Sequence, residues 1–197
     1  MTRLVVPFLA AMTWLGLAGP SQALENPKPL RSRVGDAEPL YAPAAGGEAG
    51  RATTVILLRH AEKTSKNRYA ELSRAGRRRA EALVEELRPF SPEVLYASSL
   101  ERTQQTLAPL AAAMRLEVKV RPIGDEDAVA SEILAEHAGR VVVVCGHSDT
   151  LAQLAASLGW TDDFPSVGGF DRIWTVTVPA SGAPISLTET RQRFGRR

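Results

Sequence analysis

This 197-residue chain lacks the features that would place it in several large classes of protein. It has one cysteine, Cys145, so an intramolecular disulfide is impossible and stability has to come from the hydrophobic core. Its 24 basic and 22 acidic residues nearly cancel, which argues against the dominant basic surface of a nucleic-acid binder. The sequence has no P-loop, no G-x-G-x-x-G after an apolar strand and no G-x-S-x-G elbow. It therefore gives no sign of the nucleotide-binding or serine-hydrolase chemistry that those motifs carry.

No apolar run reaches the roughly 20 residues that a helix needs to span a bilayer. The longest, Leu4 to Ala18, has 15 uncharged residues, with Arg3 before it and the small residues of SQA (21–23) after it. We interpret residues 1–23 as a cleavable signal peptide, which predicts a periplasmic or secreted protein; an uncleaved anchor is the alternative. Removal of Arg3 leaves 23 basic and 22 acidic residues. We expect no stable membrane insertion of the mature chain.

The rest of the chain divides by composition. Residues 24–51 contain four prolines and four glycines, which is typical of a linker or a loosely attached arm. One compact domain is predicted over 52–190, and a domain of roughly 140 residues can bury an adequate core. The basic segment RQRFGRR (191–197) is expected to be a solvated tail.

Strand and helix patterns alternate within this domain. Strands are predicted at 53–58, 93–97, 116–120 and 141–145, and helices at 74–87, 100–114, 128–137 and 149–158. Ser73 is a cap for the first helix, Pro109 should kink the second helix or open a new turn, and Gly139 should close the third. Two last strands, 172–178 and 184–190, can form a hairpin. The alternation predicts an α/β fold, a three-layer α/β/α sandwich with a mostly parallel central sheet.

Two of the three histidines follow the most apolar strands almost directly. His60 comes after VILLR and His147 after VVVVCG. Because the carboxyl ends of parallel strands meet at one edge of a sheet, where ligands bind, both imidazoles are expected to face one pocket. For either histidine taken alone, the alternative to a functional role is a structural histidine in the core or at the rim, with its hydrogen bonds satisfied. His137 ends an amphipathic helix and is expected to be an exposed cation at its C-terminus.

The predicted pocket is also cationic. Arg59 precedes His60, and Arg102 lies at the start of the helix that follows the second strand. Two guanidinium groups, two imidazoles and helix N-termini together form a receptor for a phosphoryl dianion; for Arg102 alone, a solvated helix residue is the alternative. A metal held by the two histidines and Asp149 is disfavoured, because the guanidinium groups would repel a cation. We expect neither a metal nor a cofactor.

Four segments resemble the histidine phosphatase superfamily, the group that includes cofactor-dependent phosphoglycerate mutases and small bacterial phosphohistidine phosphatases. They are LLRHAEK (57–63), LSRAGRRRAEAL (72–83), LYASSLERTQQTLAPLA (95–111) and VVVVCGHSDTL (141–151), in the family's order and spacing. The resemblance implies a phosphoglycerate mutase-like fold without a large cap. It implies that His60 is the nucleophile that becomes phosphorylated. It also implies that Arg59 and Arg102 clamp the phosphate and that His147 is a second, charge-stabilising histidine.

The sequence departs from the family pattern at two places. Ala61 stands where the commonest pattern has glycine. Many members also carry an acid that protonates the leaving oxygen, between the second arginine and the second histidine. Here Asp125, Glu126 and Asp127 lie in that segment, and Glu62 is a further candidate by proximity to His60. We choose Asp127; the alternative is that one of these acids only caps the following helix.

The combined prediction is an exported phosphatase that hydrolyses a phosphate monoester through a phosphohistidine on His60. The pocket should be open, with 63–68 and 161–172 at its rim, which suits a phosphorylated small molecule or an exposed phosphate group of a larger molecule and favours hydrolysis over phosphate transfer. The alternative is a non-catalytic module of the same fold that binds a phosphorylated ligand. A regulator of intracellular phosphohistidine proteins is disfavoured by the export signal. The sequence does not indicate an oligomeric state.

Overall fold

The structure, a computed structural model, describes residues 50–183 and 185–193. The expected signal peptide, the linker up to residue 49 and the last four residues lie outside that range. The elements, in chain order, are β1 (Thr53–Arg59), α1 (Arg74–Leu87), a short 3-10 helix (Arg88–Phe90), β2 (Val94–Ser98), α2 (Glu101–Met114), β3 (Val118–Arg121), α3 (Glu126–Glu136), β4 (Val141–Gly146), α4 (Leu151–Ser157), β5 (Arg172–Val178) and β6 (Ser186–Arg191). None of the described helices combines the length and the apolar character that crossing a membrane requires.

The six strands form one sheet in the order β3-β2-β4-β1-β5-β6. The first four are parallel, β5 runs antiparallel to β1, and β6 pairs with β5 as a hairpin. Alternate residues of β1 enter opposite cores. Val55 and Leu57 pack with α3 and α4, whereas Ile56 and Leu58 pack with α1 and α2. The predicted three-layer α/β/α fold with a mostly parallel sheet is therefore confirmed.

The pairing of β1 with β4 sets the level of the two histidines. Leu58 lies opposite Cys145, and Arg59 lies opposite Gly146, the last residue of β4. The residue that directly follows each strand is a histidine, and the His60 amide donates to the Gly146 carbonyl at 3.0 Å. His60 and His147 therefore leave the sheet side by side at its carboxyl edge.

The start of α1 packs against the segment that follows His60. Ser73 caps the helix as predicted, because its Oγ accepts from the Gly76 amide at 3.1 Å. The Ser73 amide donates to the Glu62 carbonyl at 2.8 Å. A Cβ on Gly76 would lie 2.2 Å from that same carbonyl oxygen, so only glycine allows this close approach.

Two local expectations differ from the structure. Helix α2 is continuous through Pro109, although a kink or a new turn was expected there. Strand β3 starts at Val118 rather than at 116, because Arg115 adopts a left-handed conformation (φ 56°) and the Leu116 amide donates back to Ala111. Residue 116 thus completes the end of the helix and cannot pair in the sheet.

The first residues of the expected tail belong to the domain. Arg191 ends β6, and Gln192 is buried. The Gln192 amide donates to the Asp171 carbonyl at 2.7 Å, and its side-chain Nε2 donates to the Arg79 carbonyl at 3.0 Å. The Arg193 amide donates to the Glu86 carboxylate at 2.9 Å.

Candidate active site

His60 is buried and its tautomer is fixed by the backbone. Its Nδ1 lies 2.7 Å from the Ala61 carbonyl oxygen. A carbonyl can only accept, so Nδ1 carries the proton and the neutral ring keeps a lone pair on Nε2. The ring centroid lies 5.3 Å from that of His147 and 5.8 Å from that of Phe170. His60 thus presents an unprotonated nitrogen beside a second imidazole.

A chain of hydroxyl groups orients His147. Its Nε2 lies 2.8 Å from Ser98 Oγ, which in turn lies 2.9 Å from Thr103 Oγ1. Thr103 donates to the Leu100 carbonyl at 2.6 Å. On the other side of the ring, Arg102 NH2 lies 3.3 Å from His147 Nδ1. Since a guanidinium only donates, Nδ1 accepts and Nε2–H donates to Ser98. Neither Ser98 nor Thr103 was among the sequence-predicted site residues.

Two guanidinium groups flank the imidazoles without a carboxylate partner among the described residues. Arg102 is buried, and its NH1 donates to the Arg68 carbonyl. Arg59 is half-buried, stacks on Phe170 at 4.5 Å and donates from NH1 to the Gly169 carbonyl at 3.3 Å. The Nε atoms of both arginines are buried and unbonded. Buried cations without a counter-charge are costly, so this pair of arginines indicates an anion site.

Burial lowers the pKa of both site histidines to about 4. For His60, the Ala61 hydrogen bond partly opposes this shift, and the charges of Arg102 and Arg59 add to it. For His147, Arg102 is the next largest cause. Both rings are therefore neutral at pH 7, which is the form that a nucleophilic His60 requires.

The lowered pKa values predict that stability falls in mild acid. Because the unfolded chain binds protons near pH 6.5 and the folded chain only near pH 4, the free energy of unfolding should decrease as pH falls from about 6.5 to about 4, by at most about 1.4 kcal/mol per pH unit for each histidine. Urea unfolding at pH 7.0, 6.0 and 5.0 measures this slope. Replacing His147 by Asn should reduce the slope, and an unchanged slope in H147N would contradict the assignment.

Two loops form the rim of the site, as the sequence predicts. The Arg68 carbonyl contacts Arg102, which brings the 63–68 loop to the pocket. Gly169 and Phe170 contact Arg59 from the segment before β5. A cleft of about 380 Å³, part of it open to solvent, lies between the carboxyl ends of β2 and β4 and the starts of α3 and α4. It adjoins the site at Ser98, the partner of His147, and Arg121, Glu126, Gly146 and Thr150 also line it.

Of the four candidate acids, Glu126 is the one that lines this cleft, and its Oε2 is buried and unbonded. The choice of Asp127 needs correction. Asp127 is exposed and accepts from Ser157 Oγ on α4, because consecutive helical residues point about 100° apart and only one of them can face the cleft. Asp125 is exposed at the start of α3. Glu62 is paired with Arg79 at 2.7 Å, and its pKa is lowered.

The prediction for His137 is wrong. Its side chain is buried, not exposed, and its Nε2 lies 3.0 Å from Tyr96 Oη and 3.1 Å from Lys119 Nζ. Burial and the Lys119 charge lower its pKa, so it is no helix-terminal cation. Glu132 and Glu136 lie near enough to His137 to suggest a metal site, but the Glu132 carboxylate is already paired with Lys119 and Arg121.

Comparison with known proteins confirms the resemblance seen in the sequence. Residues 55–126 match the family model of the histidine phosphatase superfamily, branch 1. A segment of 85 residues is 34% identical to the 8-oxo-(d)GTP phosphatase of Mycolicibacterium smegmatis, and this covers 40% of the present chain and 26% of that protein. The chain thus spans about a quarter of the length of this curated relative.

Solved structures share the fold. The protein histidine phosphatase SixA complexed with tungstate aligns with a TM-score of 0.59 at 21% identity, over 71% of this chain and 97% of that one. A mycobacterial glucosyl-3-phosphoglycerate phosphatase aligns with a TM-score of 0.56 at 19% identity, over 70% of this chain and 97% of that one. At these identities the likeness establishes the fold alone.

Proposed function

We propose that the chain is a member of the histidine phosphatase superfamily, whose family model matches residues 55–126, and that it is an enzyme that hydrolyses phosphate monoesters through a phosphohistidine on His60. The observation that carries the proposal is the juxtaposition of an unprotonated His60 Nε2 with His147 and with two guanidinium groups that have no carboxylate partner among the described residues. These groups supply a nucleophile and fixed positive charge at one edge of the sheet.

In the first step, His60 Nε2 attacks phosphorus and the P–O bond to the alcohol breaks. The ring becomes cationic, and the Ala61 carbonyl, which already accepts from Nδ1–H, stabilises that charge. Negative charge spreads over the equatorial oxygens of the transferring group. Arg59 and Arg102 are the donors that meet it, while His147, whose N–H donates to Ser98, accepts from Arg102 and holds that guanidinium in place. Because these positions are fixed in advance, the two guanidinium groups stabilise the transition state more than the free substrate.

Glu126 is the acid that protonates the leaving oxygen in this proposal. Glu126 lines the cleft that adjoins the site at Ser98, and its Oε2 is buried without a hydrogen-bond partner among the described residues. In the second step its carboxylate takes a proton from water, which attacks phosphorus. The P–N bond breaks, inorganic phosphate leaves, and His60 returns to its neutral form.

Replacing Glu126 by Gln should therefore lower kcat about 10²-fold on an alkyl phosphate, whose leaving alkoxide needs a proton. It should lower kcat much less on an aryl phosphate with a good leaving group. Asp127→Asn is the matched control one residue away and should retain activity on both substrates. Phosphate release measured with both substrates decides the assignment, and equal effects of the two variants would contradict it.

The simplest test of the proposed function is release of nitrophenol from nitrophenyl phosphate by the purified domain in the presence of a chelator. Turnover that survives the chelator is expected. If the protein binds inorganic phosphate but releases no nitrophenol, the non-catalytic binding module is the better description.

We also propose that the enzyme is exported, from the apolar run and the SQA site within residues 1–23. Its substrates would then lie outside the cytoplasm. The mass of the protein recovered from a periplasmic extract tests this, since cleavage after Ala23 starts the chain at Leu24; a full-length mass would overturn it.

A further inference from the structure

The rim next to Arg102 carries more positive charge than one phosphate group neutralises. Lys63, Lys66 and Arg68 lie on the 63–68 loop, and none of them has a carboxylate partner among the described residues. The nearby Glu71 pairs instead with Arg77 on α1 at 3.7 Å. Lys66 and Arg68 are exposed.

The loop has a defined structure. Lys63 and Leu72 form an antiparallel bridge, and the Thr64 amide donates to the Glu71 carbonyl at 2.9 Å. Lys63 Nζ donates to the carbonyls of Lys66 and Asn67. These contacts hold the basic side chains on one short, folded segment.

The same segment is fixed to the helix that carries the phosphate clamp. The Leu72 amide donates to Gln105 on α2 at 2.9 Å, and Arg102 donates to the Arg68 carbonyl. Burial and the Arg59 charge are the main causes of the lowered pKa of Arg102, and Arg68 lowers it further. Lys63 is likewise close enough to lower the pKa of His147.

A transferring phosphoryl dianion balances Arg59 and Arg102. The charges of Lys63, Lys66 and Arg68 then remain, and Asp149 lies close enough to raise the pKa of Arg59 and of His147 against the other causes that lower them. We propose that the 63–68 loop binds a second anionic group of the substrate. The preferred substrate class is therefore a phosphate monoester whose alcohol portion carries another phosphate or a carboxylate.

This inference rests on the proposed hydrolysis, and a matched substrate pair tests it. We expect kcat/KM for glucose 1,6-bisphosphate to exceed that for glucose 6-phosphate by about 10-fold in dilute buffer, with the difference shrinking in 0.5 M salt because exposed charges are screened. In the Lys66→Gln/Arg68→Gln double variant the ratio of the two kcat/KM values should fall close to two, because the bisphosphate offers two phosphates and the monophosphate one. The Arg68→Gln change replaces only the side chain, so the backbone carbonyl that accepts from Arg102 is kept.

The control variant removes the same charge elsewhere. Arg115 follows α2 and Arg140 precedes β4, so both lie at the opposite edge of the sheet. Arg115→Gln/Arg140→Gln should keep the ratio of the unchanged protein. A ratio near two in the unchanged protein, or equal ratios in both double variants, would overturn the second-anion site while leaving the proposed hydrolysis in place.

Binding measurements separate the two proposals if no ester is hydrolysed. Pyrophosphate should bind about 10-fold more tightly than inorganic phosphate by calorimetry, and the advantage should disappear in Lys66→Gln/Arg68→Gln but not in the control. Loss of hydrolysis with this pattern intact would remove the phosphatase and keep the second-anion site. Equal affinities for the two anions would remove the site.

Discussion

Replacing His60 by alanine is expected to lower kcat/KM for nitrophenyl phosphate by about 10⁴-fold or more. The variant removes the unprotonated Nε2 of His60, and with it the group that would form the covalent intermediate. Because a phosphohistidine forms in the proposed mechanism, rapid quenching with labelled substrate should show about one labelled phosphate per molecule in the unchanged protein and none in H60A.

His137→Gln is the control for this variant. His137 is also a buried histidine, but among the described residues its ring nitrogen Nε2 contacts Tyr96 and Lys119, and not His60, His147, Arg59 or Arg102. We expect H137Q to lose stability and to keep its turnover per folded molecule. Activity of H60A within tenfold of the unchanged protein would refute the nucleophile assignment. The circular dichroism spectrum shows separately whether the variant is folded, so a loss of activity is not mistaken for a loss of structure.

Replacing Arg102 by Gln is expected to lower kcat/KM by about 10²- to 10³-fold. This change removes a buried positive charge that would meet the equatorial oxygens in the transition state, and it removes the donor to His147 Nδ1. It should also raise the pKa of His147, because Arg102 is the largest cause after burial of its lowered value. The acid limb of the pH–rate profile should therefore move to higher pH.

Arg102→Lys separates charge from geometry. Lysine keeps the charge but cannot donate in a fixed fork to both Arg68 and His147, so its activity should lie between that of the Gln variant and that of the unchanged protein. If both variants retain more than a third of the original kcat/KM, Arg102 does not clamp the phosphate.

The fold could be predicted where local signals and tertiary packing agree. Helix α1 has the predicted bounds because the Ser73 cap and the 3.6-residue repeat of Ala80, Leu83 and Leu87 give the same answer. The apolar runs of β1 and β4 are buried on both faces, so they too were evident. The start of β3 was missed because the backbone of Leu116 closes α2, which no hydrophobic pattern reveals.

The site could be predicted at its strand ends and at the start of α2, which carries Arg102. His60, Arg59 and His147 follow from apolar runs that stop at polar residues. Ser98 gave no such signal, since its role depends on a contact with His147, 49 residues along the chain.

The errors at Asp127 and His137 have a related physical cause. A run of acids before a helix does not say which side chain faces the cleft, because that depends on the rotation of α3 against the sheet. A histidine at the end of a helix looks exposed until Tyr96 from β2 and Lys119 from β3 are seen to pack around it. Both the orientation of the acids on α3 and the burial of His137 depend on tertiary packing, which the local sequence pattern does not reveal.

The register of β1 and β4 has a consequence for how this domain can vary. Backbone hydrogen bonds between β1 and β4 determine the spacing between His60 and His147, and the loops at the rim do not. Insertions or exchanges in those loops can therefore alter which ligands the site binds while His60 Nε2, the proposed nucleophile, stays in place.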